Sequence, residues 1–74
     1  DAEICARMVE DGLYVDAAAT LEAAMPIFDR ADVAYLPVVV VKGPDKEIVG
    51  ALFHIDALKA YNRALAATAA EEHS

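Results

Sequence analysis

The chain is 74 residues long, 58% hydrophobic and formally −7 at pH 7. That length holds one small domain, which buries only about 60% of the surface its unfolded chain exposes. With Cys5 as the only cysteine and no Cys/His cluster (His54 and His73 lie far apart), a disulfide and a zinc site are excluded as staples.

Self-association or a partner domain is therefore the expected source of extra stability. The basic residues Arg7, Arg30, Lys42, Lys46, Lys59 and Arg63 are scattered, which argues against nucleic acid or an anionic membrane surface as partner. No apolar run approaches the ~20 residues of a membrane span, and no signal peptide is visible, so a reduced, cytoplasmic setting is expected. The first residue is Asp1 rather than methionine, and a fragment of a longer chain is expected.

Asp1 to Glu10 reads as a short helix with Ile4, Cys5 and Met8 on one face and with Asp1 and Glu3 favouring its dipole. Cys5 on that face reads as a small buried hydrophobe rather than a nucleophile. Asp11-Gly12 is a turn signal. Leu13-Tyr14-Val15 is a short strand that ends at Asp16. Thr20 caps the next helix, with Glu22 in its first turn and Leu21, Ala24, Met25 and Phe28 on its apolar face. Pro26 sits inside that helix, where it removes a hydrogen bond and clashes with the Glu22 carbonyl at a cost of ~3 kcal/mol. Either the helix kinks there or two short turns replace it, and the kink is the expectation, since Ile27 and Phe28 continue the apolar face.

Leu36 to Val41 is an apolar, β-branched run that suits a strand covered on both faces. Lys42 to Lys46 supplies the turn, and Glu47 to Leu52 returns as a second strand. The spacing predicts an antiparallel hairpin with a loop slightly longer than the tightest type. Gly50 inside the second strand predicts close approach by another backbone or a ligand. The last helix starts near His54 and runs to about Ala70. Leu58, Tyr61 and Leu65 form a large-residue stripe, expected on the sheet. Ala57, Ala60, Ala64 and Ala67 form a small-residue stripe, expected to meet a partner helix. The fold class is α+β, in the order β-α-β-β-α after a short N-terminal helix, with a small sheet packed on two helices. The expected core is Leu13, Val15, Leu21, Phe28, Leu36, Val38, Val40, Ile48, Val49, Leu52, Leu58 and Leu65.

The segments LPVVVV and IVGALFHID, with a turn between them, resemble the core of a CBS domain, a small regulatory module usually found in tandem pairs. Leu13-Tyr14-Val15 and Thr20 to Ala24 extend the resemblance backwards, so that it covers roughly residues 8–61 of one domain spanning 1–74. The segment from Asp56 to Leu65 is similar to the C-terminal CBS segment of bacterial ClC-type chloride-channel proteins. No internal repeat is present, so the resemblance implies a second CBS unit as partner, either a tandem neighbour or a second copy.

The resemblance also implies where an adenine nucleotide (AMP, ADP, ATP or a related adenosyl ligand) would bind. Asp56 matches the aspartate that accepts hydrogen bonds from ribose hydroxyls. Phe53 stands where the family carries a phosphate-contacting hydroxyl, and Tyr35 where phosphate-binding members often carry a basic residue. His54, near a helix start, offers a backbone N–H and an ionisable ring to an anion. Each residue also has a structural reading. Asp56 is stabilised by the helix dipole without a ligand. Phe53 belongs in the core, Tyr35 at a dimer interface, and His54 in a solvated first turn. Catalysis has little support, because no paired carboxylates flank a nucleophile, no glycine loop cradles phosphate, and Ser74 is the only serine.

The function implied by the resemblance is a non-catalytic regulatory module that pairs with another CBS unit, senses an adenine nucleotide and modulates an attached protein, which the likeness of the tail makes a chloride channel or transporter. The alternative is a constitutive dimerisation element that binds no nucleotide. An enzyme built on Cys5 and His54 would need both side chains within hydrogen-bond reach.

Overall fold

A computed structural model describes residues 2–72, with side chains described as far as Ala69. Asp1, expected to favour the first helix dipole, and His73 and Ser74 lie outside the described residues. The chain forms α1 (Ala2–Glu10), β1 (Val15–Asp16), α2 (Leu21–Ala31), β2 (Tyr35–Lys42), β3 (Asp45–Phe53) and α3 (His54–Glu72). The class is α+β, with a mixed three-stranded sheet in the order β1-β2-β3.

Helix α1 ends in a left-handed residue, Gly12, at φ +80. The Leu13 N–H donates to the Met8 carbonyl at 2.8 Å and the Gly12 N–H to the Val9 carbonyl at 3.1 Å. This pair of bonds is the Schellman arrangement, and it turns the chain toward β1. A Cβ on Gly12 would meet nothing within 4 Å, so substitution there carries backbone strain alone. Gly12→Ala is expected to lower stability by about 1–2 kcal/mol in urea unfolding, the cost of a side chain in the left-handed region. An unchanged midpoint would mean that the turn relaxes.

Strand β1 begins at Val15, later than the sequence suggested, and it includes Asp16. It pairs in parallel with β2 through Val15↔Val38 and Asp16↔Val39. The Asp16 carboxylate then accepts the Ala18 N–H at 2.9 Å, which bends the chain out of the strand. Thr20 caps α2, its hydroxyl accepting from the Ala23 N–H at 3.3 Å. At the other end Asp32 adopts the left-handed conformation, and its N–H donates to the Phe28 carbonyl. Helix α2 runs as one element through Pro26.

The hairpin differs from expectation at two points. Strands β2 and β3 extend to Lys42 and from Asp45, so the loop is the two-residue Gly43-Pro44. Gly43 at φ +60 followed by proline has the φ signs of a type II′ turn, which suits the twist of the flanking strands. The register then shifts, with Val38 opposite Gly50 but Val39 opposite Ile48, so Val49 is an extra residue in a bulge. Gly50 therefore marks the bulge. A Cβ there would meet nothing within 4 Å, so the close approach expected at this glycine is not made within the chain.

The core gathers Val15, Ala24, Phe28, Leu36 and Ala57, and Val39 and Pro37 are buried as well. Leu13, Leu21 and Leu52 pack against this centre half-buried. Val38 and Val40 are half-buried too. Four residues expected in the core are exposed instead: Ile48 at 39%, Val49 at 55%, Leu58 at 38% and Leu65 at 52%. For Ile48 and Val49 the cause is topological, since β3 is an outer strand and the bulge turns Val49 away from the ladder.

For Leu58 and Leu65 the cause is the rotation of α3. Ala57 packs in the core beside Phe28 and Leu36 and is fully buried, so it cannot meet a partner helix as expected. A methyl-sized side chain lets the axis of α3 approach α2 and the sheet closely. Ala60 is half-buried, while Ala64 and Ala67 are exposed on the overhanging part of the helix. That overhang shows in the dimensions. The radius of gyration is 14.1 Å, against about 11 Å for a compact chain of this size.

Candidate functional site

The residues singled out for ligand binding converge where the hairpin runs into α3. Tyr35 opens β2 and lies directly opposite Phe53, the last residue of β3. Cross-strand partners share a face of the sheet, and their rings meet with centroids 5.6 Å apart at 45°. Phe53 is 49% exposed, so it is not the core residue expected, and Tyr35 is half-buried. The pair forms an aromatic shelf at the sheet's end, open to a planar ligand or to a second protein surface.

His54 departs further from expectation. It is half-buried rather than solvated, and its ring stacks on Phe28 with centroids 4.7 Å apart and 11° between planes. Its backbone N–H donates to the Ala34 carbonyl at 2.8 Å, so that group is already engaged and is not free for an anion. His54 therefore pins the start of α3 onto α2 and onto the loop before β2. Phe28 and the Ala34 carbonyl, which position it, were not recognised as part of the site. The apolar face of α2 identified Phe28 as core, but nothing local in the sequence joins it to His54.

Asp56 lies exposed in the first turn of α3, where the helix dipole favours a carboxylate. A carboxylate is an acceptor with two oxygens, the chemistry that a diol calls for. Gly50 lies back along β3, opposite Val38, with open space beside it. The candidate site thus carries an aromatic shelf, Tyr35 and Phe53, and a helix-start carboxylate, Asp56.

Two clefts lie elsewhere. One, of about 330 Å³, is lined by Glu3, Ile4, Arg7, Met8 and Asp11 on α1 and the turn after it. The other, of about 370 Å³, lies between the start of α2 (Thr20, Leu21, Glu22) and the overhanging α3 (Tyr61, Ala64, Leu65, Thr68). Neither includes Tyr35, Gly50, Phe53, His54 or Asp56. Cys5 sits half-buried on α1, a different element from His54. Among the described residues no group of three or more His, Cys, Asp or Glu could hold a metal ion. No helix among them is long and apolar enough to cross a membrane. Comparison of the chain with protein-family models, with curated proteins and with solved structures finds no match.

Proposed function

We propose that the chain is a non-catalytic regulatory module of the CBS type, which pairs with another such unit and modulates an attached protein. The observation that carries this reading is the order β1-α2-β2-β3-α3, with β1 parallel to β2 and a β2–β3 hairpin leading straight into a helix that exposes Asp56. The LPVVVV and IVGALFHID segments that suggested the family form the two hairpin strands and that helix entry. Pairing uses the apolar surface left open on the hairpin, where Ile48, Val49 and Phe53 are 39–55% exposed. Of the alanine stripe, Ala57 is internal and takes no part in it.

The ligand is an adenine nucleotide or another adenosyl compound. Asp56 accepts from its ribose hydroxyls, and the Tyr35–Phe53 shelf stacks on its base. Binding acts by favouring one arrangement of the paired units over another, and its effect is limited by its difference in affinity for the two. The attached protein, by the likeness of the last helix, is a chloride-channel-like transporter with this module on its cytoplasmic side.

One observation favours a second reading, a constitutive dimerisation element that binds no nucleotide. Phe53 supplies no hydroxyl and Tyr35 no positive charge to a phosphate, and the His54 N–H is engaged by Ala34. Calorimetric titration with AMP, ADP, ATP and S-adenosylmethionine separates the two. Saturable binding of at least one ligand, abolished in Asp56→Ala, is the expected result. No heat with any of them, from protein verified as folded and paired, would leave the structural element as the function.

A further inference from the structure

The chemistry around Tyr35 and Phe53 also decides which part of a nucleotide this place can hold. Their rings, with centroids 5.6 Å apart, offer a stacking surface to a base. The loop before Tyr35 lies against the start of α3, since the Ala34 carbonyl accepts the His54 N–H at 2.8 Å. The shelf is thus bordered by the end of α2, that loop and the first turns of α3.

These borders are acidic. The end of α2 and its C-cap bring Asp29, Arg30 and Asp32, and the first two turns of α3 bring Asp56 and Lys59. All five are exposed. Three carboxylates against two cations leave a net negative charge there, within a chain that carries −7 overall. Along the chain, Asp32 is nearer to Tyr35 than Arg30 is, and Asp56 is nearer to Phe53 than Lys59 is. Lys42 and Lys46 lie at the far end of the hairpin, beside its turn.

The start of α3 does not offset this. The N–H of His54 is engaged, and its ring lies on Phe28 with 11° between planes. The turn that follows carries Asp56, whose charge already answers the positive end of the helix dipole. A ribose whose hydroxyls are held by Asp56 keeps its 5′-phosphate within a Debye length of that carboxylate, about 10 Å at 0.1 M salt.

We propose that the site takes the adenosyl group without phosphate, as adenosine or an unphosphorylated adenosyl compound, and that Asp56, Asp32 and the uncharged Tyr35 set this selectivity. The inference rests on the reading of Tyr35, Phe53 and Asp56 as an adenosyl site, and it narrows the ligand class. The carboxylate that accepts from the ribose repels AMP, ADP and ATP, more strongly as charge is added.

Calorimetric titration of the whole chain with adenosine, AMP, ADP and ATP, without divalent cations, tests the proposal. Adenosine is expected to bind about tenfold or more tightly than ATP, with AMP and ADP between them. Raising the salt from about 20 mM to about 200 mM should leave adenosine unchanged and strengthen ATP binding, because salt screens repulsion. Asp32→Asn should strengthen ATP binding about twofold and leave adenosine unchanged. Asparagine tolerates the left-handed conformation that Asp32 adopts, so the fold is kept. Tyr35→Arg retains a planar group that stacks and adds a positive charge, so it should raise ATP affinity about fivefold or more relative to adenosine. ATP binding as tight as that of adenosine, or weakening as salt rises, would overturn the selectivity and leave the adenosyl reading standing. So would an ATP affinity unchanged in both variants. Absence of binding by all four, from protein verified as folded and paired, would overturn the adenosyl reading and this inference with it.

Discussion

Phe28→Ala is expected to cost about 3–5 kcal/mol, the usual range for removing a large core aromatic. The ring is 1% exposed and contacts the core at the point where both helices meet the sheet, among Val15, Ala24, Leu36 and Ala57. A domain of this size has a total stability of about 4–11 kcal/mol, and a small core places it toward the low end. Most molecules should therefore be unfolded or loosely folded at 37 °C. The same change removes the ring on which His54 stacks at 4.7 Å. The start of α3, and with it Asp56, loses its seat even in molecules that remain folded. Urea unfolding gives the stability, and Phe28→Leu should lose distinctly less. A Phe28→Ala midpoint within a few tenths of molar of the parent would show that the core lies elsewhere.

The second large effect has the opposite sign. Pro26→Ala is expected to raise stability by about 2 kcal/mol. Pro26 lies inside α2, beyond its first turn, and has no N–H to donate to the Glu22 carbonyl. An interior helix proline costs ~3 kcal/mol, and its ring returns about 0.5–1 kcal/mol by restricting the unfolded chain. The side chain is exposed, so its removal leaves no cavity. For a chain of this length the gain corresponds to a rise in melting temperature of about 8–16 °C. An unchanged or lowered melting temperature would mean that α2 has already adjusted its geometry around the ring. If stability rises while nucleotide binding falls, the proline's local distortion serves the site.

Local chemistry made much of this fold legible. Gly12, Thr20 and Gly43-Pro44 act within a few residues of themselves, and each ended or began an element close to where its type suggests. The hairpin followed from a β-branched run, turn residues and a second apolar run. Three features were hidden for physical reasons. The run Val38 to Val41 is uniformly apolar, so its alternation could not reveal that Val39 is the fully buried member. Helix α3 is apolar on more than one face, and periodicity alone cannot tell the face that packs inward from the one left open. Ala57 and Leu58 were consequently assigned the wrong way round. The bulge at Val49 arises from the register of β3 against β2, a property of the pair rather than of either strand. The candidate site divides similarly. Tyr35, Phe53 and Asp56 were placed at one end of the unit by their position in the chain. The stacking of His54 on Phe28 depends on α2 and α3 meeting and leaves no local signal.

The bulge at Val49 also bears on how the molecule behaves in a crowded solution. Strand β3 offers nine residues of outer edge, long enough to template the addition of further strands from other chains. A bulge partway along breaks the even spacing of N–H and C=O groups that such addition needs, and it sharpens the local twist. Before it come Lys46 and Glu47, charged residues that resist burial in a growing sheet. Straightening the strand by deleting Val49 would restore a regular edge beside exposed apolar side chains. A chain that now stops at three strands would then be able to extend into fibrils.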